Sequence, residues 1–531
     1  MISPQNQSPN VIDSLDGTLS EWYNSIDGAL RASEVIPGEY EYTVNVSYGS
    51  QCPIQMGGTT NIDIMCERFK CISLDNSYIE CEQMVDFQVN KLQSTATFNG
   101  KRYYYIGHKD SFDSLINYKI FSNGDHVQTV NNCNYESLLL NYATYGDYSK
   151  EKADTQATYD KVQKMSPHVP GIYLDLSLLA ANTNVRIVLN YRIPLNKFLL
   201  IKNLRWYPGW MGKLTLEMQP SNLNLVYCPI FPEGHGPSVG GVTNEDYGFV
   251  PFGDAAMNYT TYTGGAYTAV VSQTFTITNS YWNQCKIRMA QYMLNMDVYN
   301  ALSMKYLEVP LLFPIQEVKS VKFSQQLQDS SSNQVAESLT ASTTINHCDS
   351  MFIVFPRTVN DRVTFINPEL TQFQINIDGK LYPRDRYATV DDVKFTNMVY
   401  DAMNVNNNVL LSISEDVANS LQPYRKIQTS TDAGVLTASN VYIMKDRSNF
   451  MIGIPFTNDE DFMGGIHNLG TAQIQIQLTK AQSANAPYFK HAPVAIFLED
   501  CILKIRSMKP PGTPQITITH ATIEQIQMGA L

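Results

Sequence analysis

Gly236-Pro-Ser-Val-Gly240 has the form of a nucleophile elbow, in which a serine is held on a strained turn between a strand and a helix. Here Pro232-Glu-Gly-His-Gly-Pro precedes it and Gly240-Gly-Val-Thr-Asn follows, so both flanks read as loop. His235 is too close in sequence to Ser238 to serve as its base. A flexible Gly/Pro loop accounts for the match. Phosphate loops are absent: Gly100-Lys101 and Gly379-Lys380 are followed by Arg102 and Leu381, not by Ser or Thr. No G-x-G-x-x-G joins a strand to a helix. The histidines at 108, 126, 168, 235, 347, 467, 491 and 520 stand singly, without the paired spacing of a metal site. His347-Cys348 reads as a core pair. Asp459-Glu-Asp461 has the chemistry to hold calcium or to supply acid–base carboxylates, but a solvated acidic loop is the simpler reading. Trp206-Tyr-Pro-Gly-Trp210 could stack a sugar or a base. Aromatic clusters around a turn more often plug the end of a β-sandwich or anchor a subunit contact. Lys504-Ile-Arg-Ser-Met-Lys509 is the densest basic stretch and is too small for a nucleic-acid surface. These residues assemble no active site. The expectation is a chain that is not an enzyme, with no catalytic, cofactor-binding or metal-ligating residue and no cofactor.

The elements that must position these residues follow from composition. Of 531 residues, 38 are Lys or Arg and 50 are Asp or Glu, so the net charge is 38 − 50 = −12. With 44% apolar residues and only 17% charged, the chain is no disordered polyelectrolyte and no basic nucleic-acid binder. Its length implies two or more domains. Tyr is abundant at 32, and Asn, Gln, Ser and Thr fill polar positions where helices would carry Lys and Glu. That mixture suits pleated sheets and ordered loops. A low-charge, amide-rich surface also suits packing against copies of the same chain, because interface centres are poor in charge. Nine cysteines, an odd number without C-x-x-C, read as buried free thiols. The polar N-terminus lacks a signal-peptide h-region, and runs such as Phe198–Ile201 and Val494–Leu498 are too short to span a bilayer. Sequons at Asn6, Asn45 and Asn258 mean little without a secretory signal. Synthesis in the cytoplasm or nucleus is expected.

Residues 1–38 read as an arm with a short helix around Leu19–Ala29. Period-two alternation begins at Tyr42/Val44/Val46/Tyr48 and recurs at Leu214/Leu216/Met218, Phe373/Ile375/Ile377 and Ile474/Ile476/Leu478. Late strands are expected at Val494–Ile505 and Gln515–Thr519. Helical spacing of apolar residues predicts helices over Asn134–Thr144 (Tyr135, Leu138, Leu139, Tyr142) and Asp392–Met403 (Phe395, Met398, Val399, Ala402), and a third near Asn283–Met304. Pro229–Ser280 and Gln325–Ser342 read as exposed loops. The first two helices share a context. Tyr118–Gly124 is a strand ending in Asn123-Gly124, then a loop and the helix from Tyr135; Gln374–Gly379 is a strand ending in Asp378-Gly379, then a loop and the helix from Phe395. The glycines lie 379 − 124 = 255 residues apart, about half the chain. This predicts two tandem copies of one β domain.

The order of these motifs resembles the double jelly-roll major capsid proteins of the tectivirus–adenovirus lineage, most like those of polinton-like elements and adintoviruses. Carrying residues are Asp113-Ser-Leu-Ile-Asn-Tyr-Lys-Ile-Phe-Ser-Asn-Gly124, Arg192-Ile-Pro-Leu with Trp206-Tyr-Pro-Gly209, Asn376-Ile-Asp-Gly-Lys-Leu-Tyr-Pro383, and Leu498-Glu-Asp-Cys-Ile-Leu-Lys-Ile-Arg506 before Lys509-Pro-Pro-Gly-Thr-Pro514. The resemblance covers most of the chain from about residue 38 to 531, although the chain is shorter than many members of that group. The resemblance implies a mainly β fold of two tandem eight-stranded jelly-roll sandwiches, with a few short helices and long loops. Its divisions would be an arm at 1–38, a first roll at 39–308 with a loop-rich insert at 229–280, and a second roll with a C-terminal tail at 309–531. It implies a structural role in the virion: a homotrimer of pseudo-hexagonal outline, contacting neighbouring trimers and penton and minor capsid proteins, and enclosing a double-stranded DNA genome. No sequence-specific nucleic-acid binding is implied, and contact with an internal membrane stays open. The alternatives are a β-sandwich glycan-binding or fibre protein, using Trp206, Trp210 and the 229–280 loops, and a single-jelly-roll capsid protein with a projecting domain.

Overall fold

The computed structural model describes residues 52–91, 103–139, 164–176, 182–221, 223–230, 249–253, 274–308, 311–357, 361–368, 370–382, 448–456, 471–482 and 491–507, with shorter pieces within 22–26, 43–48, 155–162, 179–180, 260–269, 398–402, 427–441, 465–466 and 514–519. Eight strands build a first sandwich: β1 (Thr43–Tyr48), β2 (Thr60–Met65), β3 (Lys70–Lys91), β4 (Leu115–Ser122), β5 (Asp125–Asn131), β6 (Thr183–Pro194), β7 (Lys213–Pro220) and β8 (Thr274–Met293). One sheet runs β1-β8-β3-β6 and the other β2-β7-β4-β5, all pairs antiparallel. Eight more build a second: β9 (Leu311–Lys322), β10 (Val335–Thr344), β11 (Cys348–Val354), β12 (Leu370–Ile377), β13 (Lys380–Tyr382), β14 (Met451–Pro455), β15 (Thr471–Lys480) and β16 (Val494–Ser507). Their orders are β9-β16-β11-β14 and β10-β15-β12-β13. Adding eight to each label of the first sandwich reproduces the second. Ile54–Gln55 and Trp206–Pro208 also pair into the first of these sheets, and Pro514–Thr519 into the sheet of β9 and β16. The eight strands of each set, interleaved in this order as two facing sheets, are a jelly roll, here made twice by one chain.

Alternation explains why these segments pair. Along β15, Ala472, Ile474, Ile476 and Leu478 are buried while Thr471 and Gln473 face water. In β2 and β7, Ile62, Ile64, Leu214 and Leu216 are buried in one core with Val85, Phe87, Ile187 and Ile287 of the facing sheet. The Gly-containing turns anticipated from sequence sit at the same place in each roll. Asn123-Gly124 closes β4–β5 and Asp378-Gly379 closes β12–β13, with all four residues at positive φ, which the tight two-residue hairpin requires. Even the side-chain anchor repeats: Lys213 N–H donates to Asn123 Oδ1 at 2.9 Å, and Gln473 N–H donates to Asp378 Oδ1 at 2.9 Å.

Three expectations need correction. The third helix does not begin at Asn283. Residues to Met293 continue β8, and α3 (Met296–Glu308) starts after it; the Met- and Tyr-rich stretch hides a strand whose Cys285, Ile287 and Met289 face the core. Gln325–Ser342 is not one loop, since β10 begins at Val335. Glu337 takes an inward position there, which breaks the apolar alternation, and a buried Lys480 pairs with it at 2.9 Å. Pro229–Ser280 also contains strand: Val250–Pro251 joins a small sheet with Tyr103–Gly107, Val226–Pro229 and Gly171–Asp175, and Thr260–Thr263 pairs with Ala266–Ala269.

The first two helices lie as the spacing predicts within the described residues. α1 (Asn134–Ser137) continues helically through Leu139. A helix that was not predicted, α2 (Leu199–Leu204), follows β6. Met398, Val399 and Ala402 are helical and buried in the second core, while Phe395 and Tyr142 lie outside the described residues.

Candidate functional site

The two rolls share a buried seam, and the chain's most unusual chemistry lies there. Lys109 is fully buried just after the strand Tyr103–Gly107. Its Nζ donates to Val363 O at 2.9 Å, Ser448 Oγ at 2.8 Å, Ser448 O at 3.3 Å and Asn449 Oδ1, all from the second roll. The ammonium also lies 5.6 Å from the Phe249 ring centroid. A buried cation is tolerable only when its donors are satisfied, so this group fixes where the second roll sits. Beside it, Asp110 receives the buried Lys197 and caps a short turn by accepting the Phe112 N–H at 2.8 Å. Burial and the adjacent Asp110 push the Asp113 carboxyl well above its ordinary range.

Helix α1 completes the seam. Its Tyr135, Leu138 and Leu139 join the core of the second roll, with the Tyr135 ring 6.1 Å from that of Phe365. Asn134 donates to Arg362 O. From the other side, Ile315, Cys501, Leu503 and Ile505 of β9 and β16 join the core of the first roll. Glu136 is buried between, accepting from Tyr118 OH at 2.8 Å and Leu199 N–H at 2.8 Å. Burial pushes its carboxyl up to about 8 despite those donors.

A second polar cluster is enclosed within the first roll. Gln83 faces inward from β3, and its Oε1 accepts from Tyr191 OH at 3.0 Å and from His108 Nε2 at 2.8 Å. Its Nε2 donates to Ser280 Oγ at 3.0 Å, and Trp282 Nε1 donates to Tyr191 OH at 2.9 Å. Burial drives His108 down to about 3, so the imidazole is neutral at physiological pH. The unfolded chain binds that proton near pH 6.5, so the stability from a neutral His108 is present above about pH 6.5 and lost as pH falls toward about 3. Within that window the slope is expected to reach ~1.4 kcal/mol per pH unit. Urea unfolding of wild type and His108→Gln across this range checks it: the variant should lose one proton's worth of slope.

The aromatic cluster read as a possible stacking platform is a plug. Trp206 packs edge-on to Tyr292 at 5.8 Å, Trp210 to Tyr299 of α3 at 4.9 Å, and Tyr207 is fully buried. Trp22 from the arm closes the cluster: it is fully buried, 6.3 Å from Trp210, and donates from Nε1 to Leu204 O at 3.1 Å. Trp22, Asn24, Ser25 and Ile26 are helical, as expected for Leu19–Ala29.

His347 and Cys348 are buried at the start of β11, where Cys348 Sγ lies 3.1 Å from Ser350 O. Ser238, His235 and Asp459-Glu-Asp461 lie outside the described residues. The nine cysteines are free thiols; Cys52 is half-buried and the others are buried. Burial pushes Cys66 up to about 12, which keeps it an unreactive thiol. Among the described residues no group of three or more His, Cys, Asp or Glu is placed to hold a metal ion, and no helix is long and apolar enough to cross a membrane. The seam was not found by sequence reasoning, because nothing local marks Lys109 as buried.

No protein-family model matches the chain, and no curated protein matches it. Among solved structures, it is similar to the mavirus major capsid protein at 10% identity and a TM-score of 0.47, covering 93% of each chain. It is similar to VP54 of PBCV-1, fitted into a reconstruction of the virophage Sputnik, at 9% identity and a TM-score of 0.42, covering 93% of this chain and 100% of that one. The Faustovirus major capsid protein follows at 8% identity and a TM-score of 0.34, covering 93% and 97%. By its own strand order, made twice between Thr43 and Ser507 and joined by a buried seam, this chain is a double jelly roll.

Proposed function

We propose that the protein is a structural shell subunit, a major capsid protein that forms homotrimers and tiles an icosahedral shell around a double-stranded DNA genome. The observation that carries this reading is the repeat itself: one chain makes the same eight-stranded sandwich twice and locks the copies through Lys109 and α1. Two like sandwiches per chain give six per trimer, so a trimer approaches hexagonal symmetry and fits a hexagonal lattice. A strand pattern closed into paired sheets also limits free edges, which suits dense packing of many copies. We divide the chain into an arm at 1–38, a first roll at 39–308 with its insert at 229–280, and a second roll at 309–531. In this reading the partners are other copies, neighbouring trimers, and penton and minor capsid proteins. The place of action is the virion, after synthesis in the host cytoplasm or nucleus. The protein performs no catalysis. A glycan-binding role through Trp206 and Trp210 is disfavoured, because both half-buried rings are already packed edge-on against Tyr292 and Tyr299.

Light scattering of the purified protein is expected to give 3 × 59.8, roughly 180 kDa. Negative-stain microscopy should then show a six-sided particle or a closed shell. A monomer that persists at high concentration would sink the proposal.

A further inference from the structure

Three of the nine thiols line up across neighbouring strands of the first roll, and neither the seam nor the His108 network uses them. The ladder between β8 and β3 sets Cys285 directly opposite Cys81. Both side chains face the core, at 0% and 3% exposure. A β-bulge makes this meeting. Trp282 pairs with Gln83 and Gln284 with Glu82, so Asn283 is the extra residue on β8. Strict alternation would send residues 282 and 285 to opposite faces. The bulge turns both inward, and Trp282 and Cys285 are fully buried.

The third thiol sits on the other side of β8. There Tyr48 pairs with Lys286, and Ile54 with Trp282. Cys52, two residues before Ile54, therefore lies beside residues 284 and 285 of β8, and it packs against the same core. The row runs Cys52, Cys285, Cys81, and Tyr191 of β6 continues it. Of the three thiols only Cys52 is half-exposed.

A row is the wrong shape for a metal, whose ligands must converge on one point, because successive strands stand about 4.8 Å apart. Among the described residues no three such groups converge. A facing pair is the right shape for a disulfide. Directly opposed residues of an antiparallel ladder have Cα atoms about 4.5–5.5 Å apart, within the range of about 4.4–6.8 Å that disulfides use. Their Cβ atoms stand at about 4.5–5.5 Å and a bridge wants about 3.5–4.5 Å, so closure needs an approach of roughly 1 Å. The bulge at Asn283, two residues away, supplies that freedom.

We propose that Cys81 and Cys285 form a cross-strand disulfide set by oxidation and loaded from outside through Cys52. The oxidant is a small-molecule disulfide such as oxidised glutathione. The Cys52 thiolate attacks one of its sulfurs, which forms a mixed disulfide and releases one glutathione thiol. Cys285 then attacks the Cys52 sulfur and releases the second. Cys81 attacks the Cys285 sulfur, and Cys52 leaves as a thiolate that takes up the proton Cys81 gave. In sum, two protein thiols and one external disulfide give one protein disulfide and two external thiols, with two electrons and two protons passed to the reagent. The bridge ties β3 to β8, the two longest strands among the described residues, across 285 − 81 = 204 positions. Burial pushes the Cys52 and Cys81 thiols up, and Cys285 adds to each. Thiolate is therefore scarce, so the bridge sets slowly in oxidising surroundings and stays open in a reducing compartment. The inference goes beyond the shell reading and does not rest on it.

Disulfide mapping of the full-length folded protein tests this. Wild type is incubated with oxidised glutathione at about pH 8.5, where thiolates are more plentiful, then quenched in acid, unfolded, alkylated and digested without reductant. Mass spectrometry is expected to find peptides joined through Cys81 and Cys285, preceded in time by a glutathione adduct on Cys52. The urea midpoint should be higher after oxidation and return on reduction. Cys52→Ser should slow the bridge by about tenfold or more, because the oxidant then meets only buried thiols. Cys81→Ser should stop the relay at a Cys52–Cys285 bridge. A wild-type map in which Cys81 and Cys285 both stay alkylated overturns the bridge. A Cys81–Cys285 peptide that forms without a prior Cys52 adduct, or at an unchanged rate in Cys52→Ser, overturns the route. The wild-type map and its time course need no variant, so a variant that does not fold leaves both claims open to refutation. Neither readout depends on assembly, so the bridge can fail while the shell reading stands.

Discussion

Replacing Lys109 by Ala should lower stability by about 3–5 kcal/mol, the range found when one member of a buried charged network is removed. The reason is the completeness of its coordination. Its ammonium satisfies two backbone carbonyls and two side-chain oxygens on residues 254 to 340 positions away in sequence. Each acceptor left dry costs about 1–3 kcal/mol, less what water entering the cavity restores. Lys109→Met keeps the volume and removes the donor, so it should lose nearly as much and separates charge from packing. Differential scanning calorimetry makes the consequence visible. Wild type should unfold both rolls in one cooperative transition, and both variants should split it into two. A loss below ~1 kcal/mol with a single transition retained would show that the apolar contacts of α1, β9 and β16 couple the rolls without Lys109.

Trp22→Ala should produce the second large loss, about 3–5 kcal/mol, the cost of deleting a buried aromatic side chain. Trp22 is fully buried, and its removal opens a cavity bounded by Trp210, whose other neighbour is Tyr299 of α3. The indole N–H also closes the last turn of α2 through Leu204 O. Trp22→Phe keeps most of the apolar contact and loses that bond, so it should cost only a fraction as much. Thermal melts give the comparison, with the Ala variant's Tm lower by roughly 3–5 °C, because the whole chain melts as one unit, and the Phe variant between. Near-identical melts for all three would mean that the arm does not contribute to the first roll's core.

The fold was legible wherever its cause is local. Alternation at Leu214/Leu216/Met218 and Ile474/Ile476/Leu478 marks strands because successive side chains point to opposite faces. Asn123-Gly124 and Asp378-Gly379 mark the equivalent hairpins because positive φ at consecutive residues demands such pairs. Where inward positions hold polar residues, the same reasoning failed. Glu337 disguised β10, and its partner Lys480 is 143 residues away, beyond the reach of any pattern read along the chain.

The amino-acid sequence by itself determined the class of fold, its duplication and the lack of a recognisable catalytic motif, because strand period, turn chemistry and motif spacing are properties of neighbouring residues. Tertiary structure alone decided what each buried face meets. The stripe Tyr135/Leu138/Leu139 announced a buried helix face, yet only the folded chain shows that it enters the other roll's core. Nothing in its neighbours along the chain marks Lys109 as buried. Burial and long-range partners turn it into a clasp between rolls, because desolvation and proximity are set by residues hundreds of positions away.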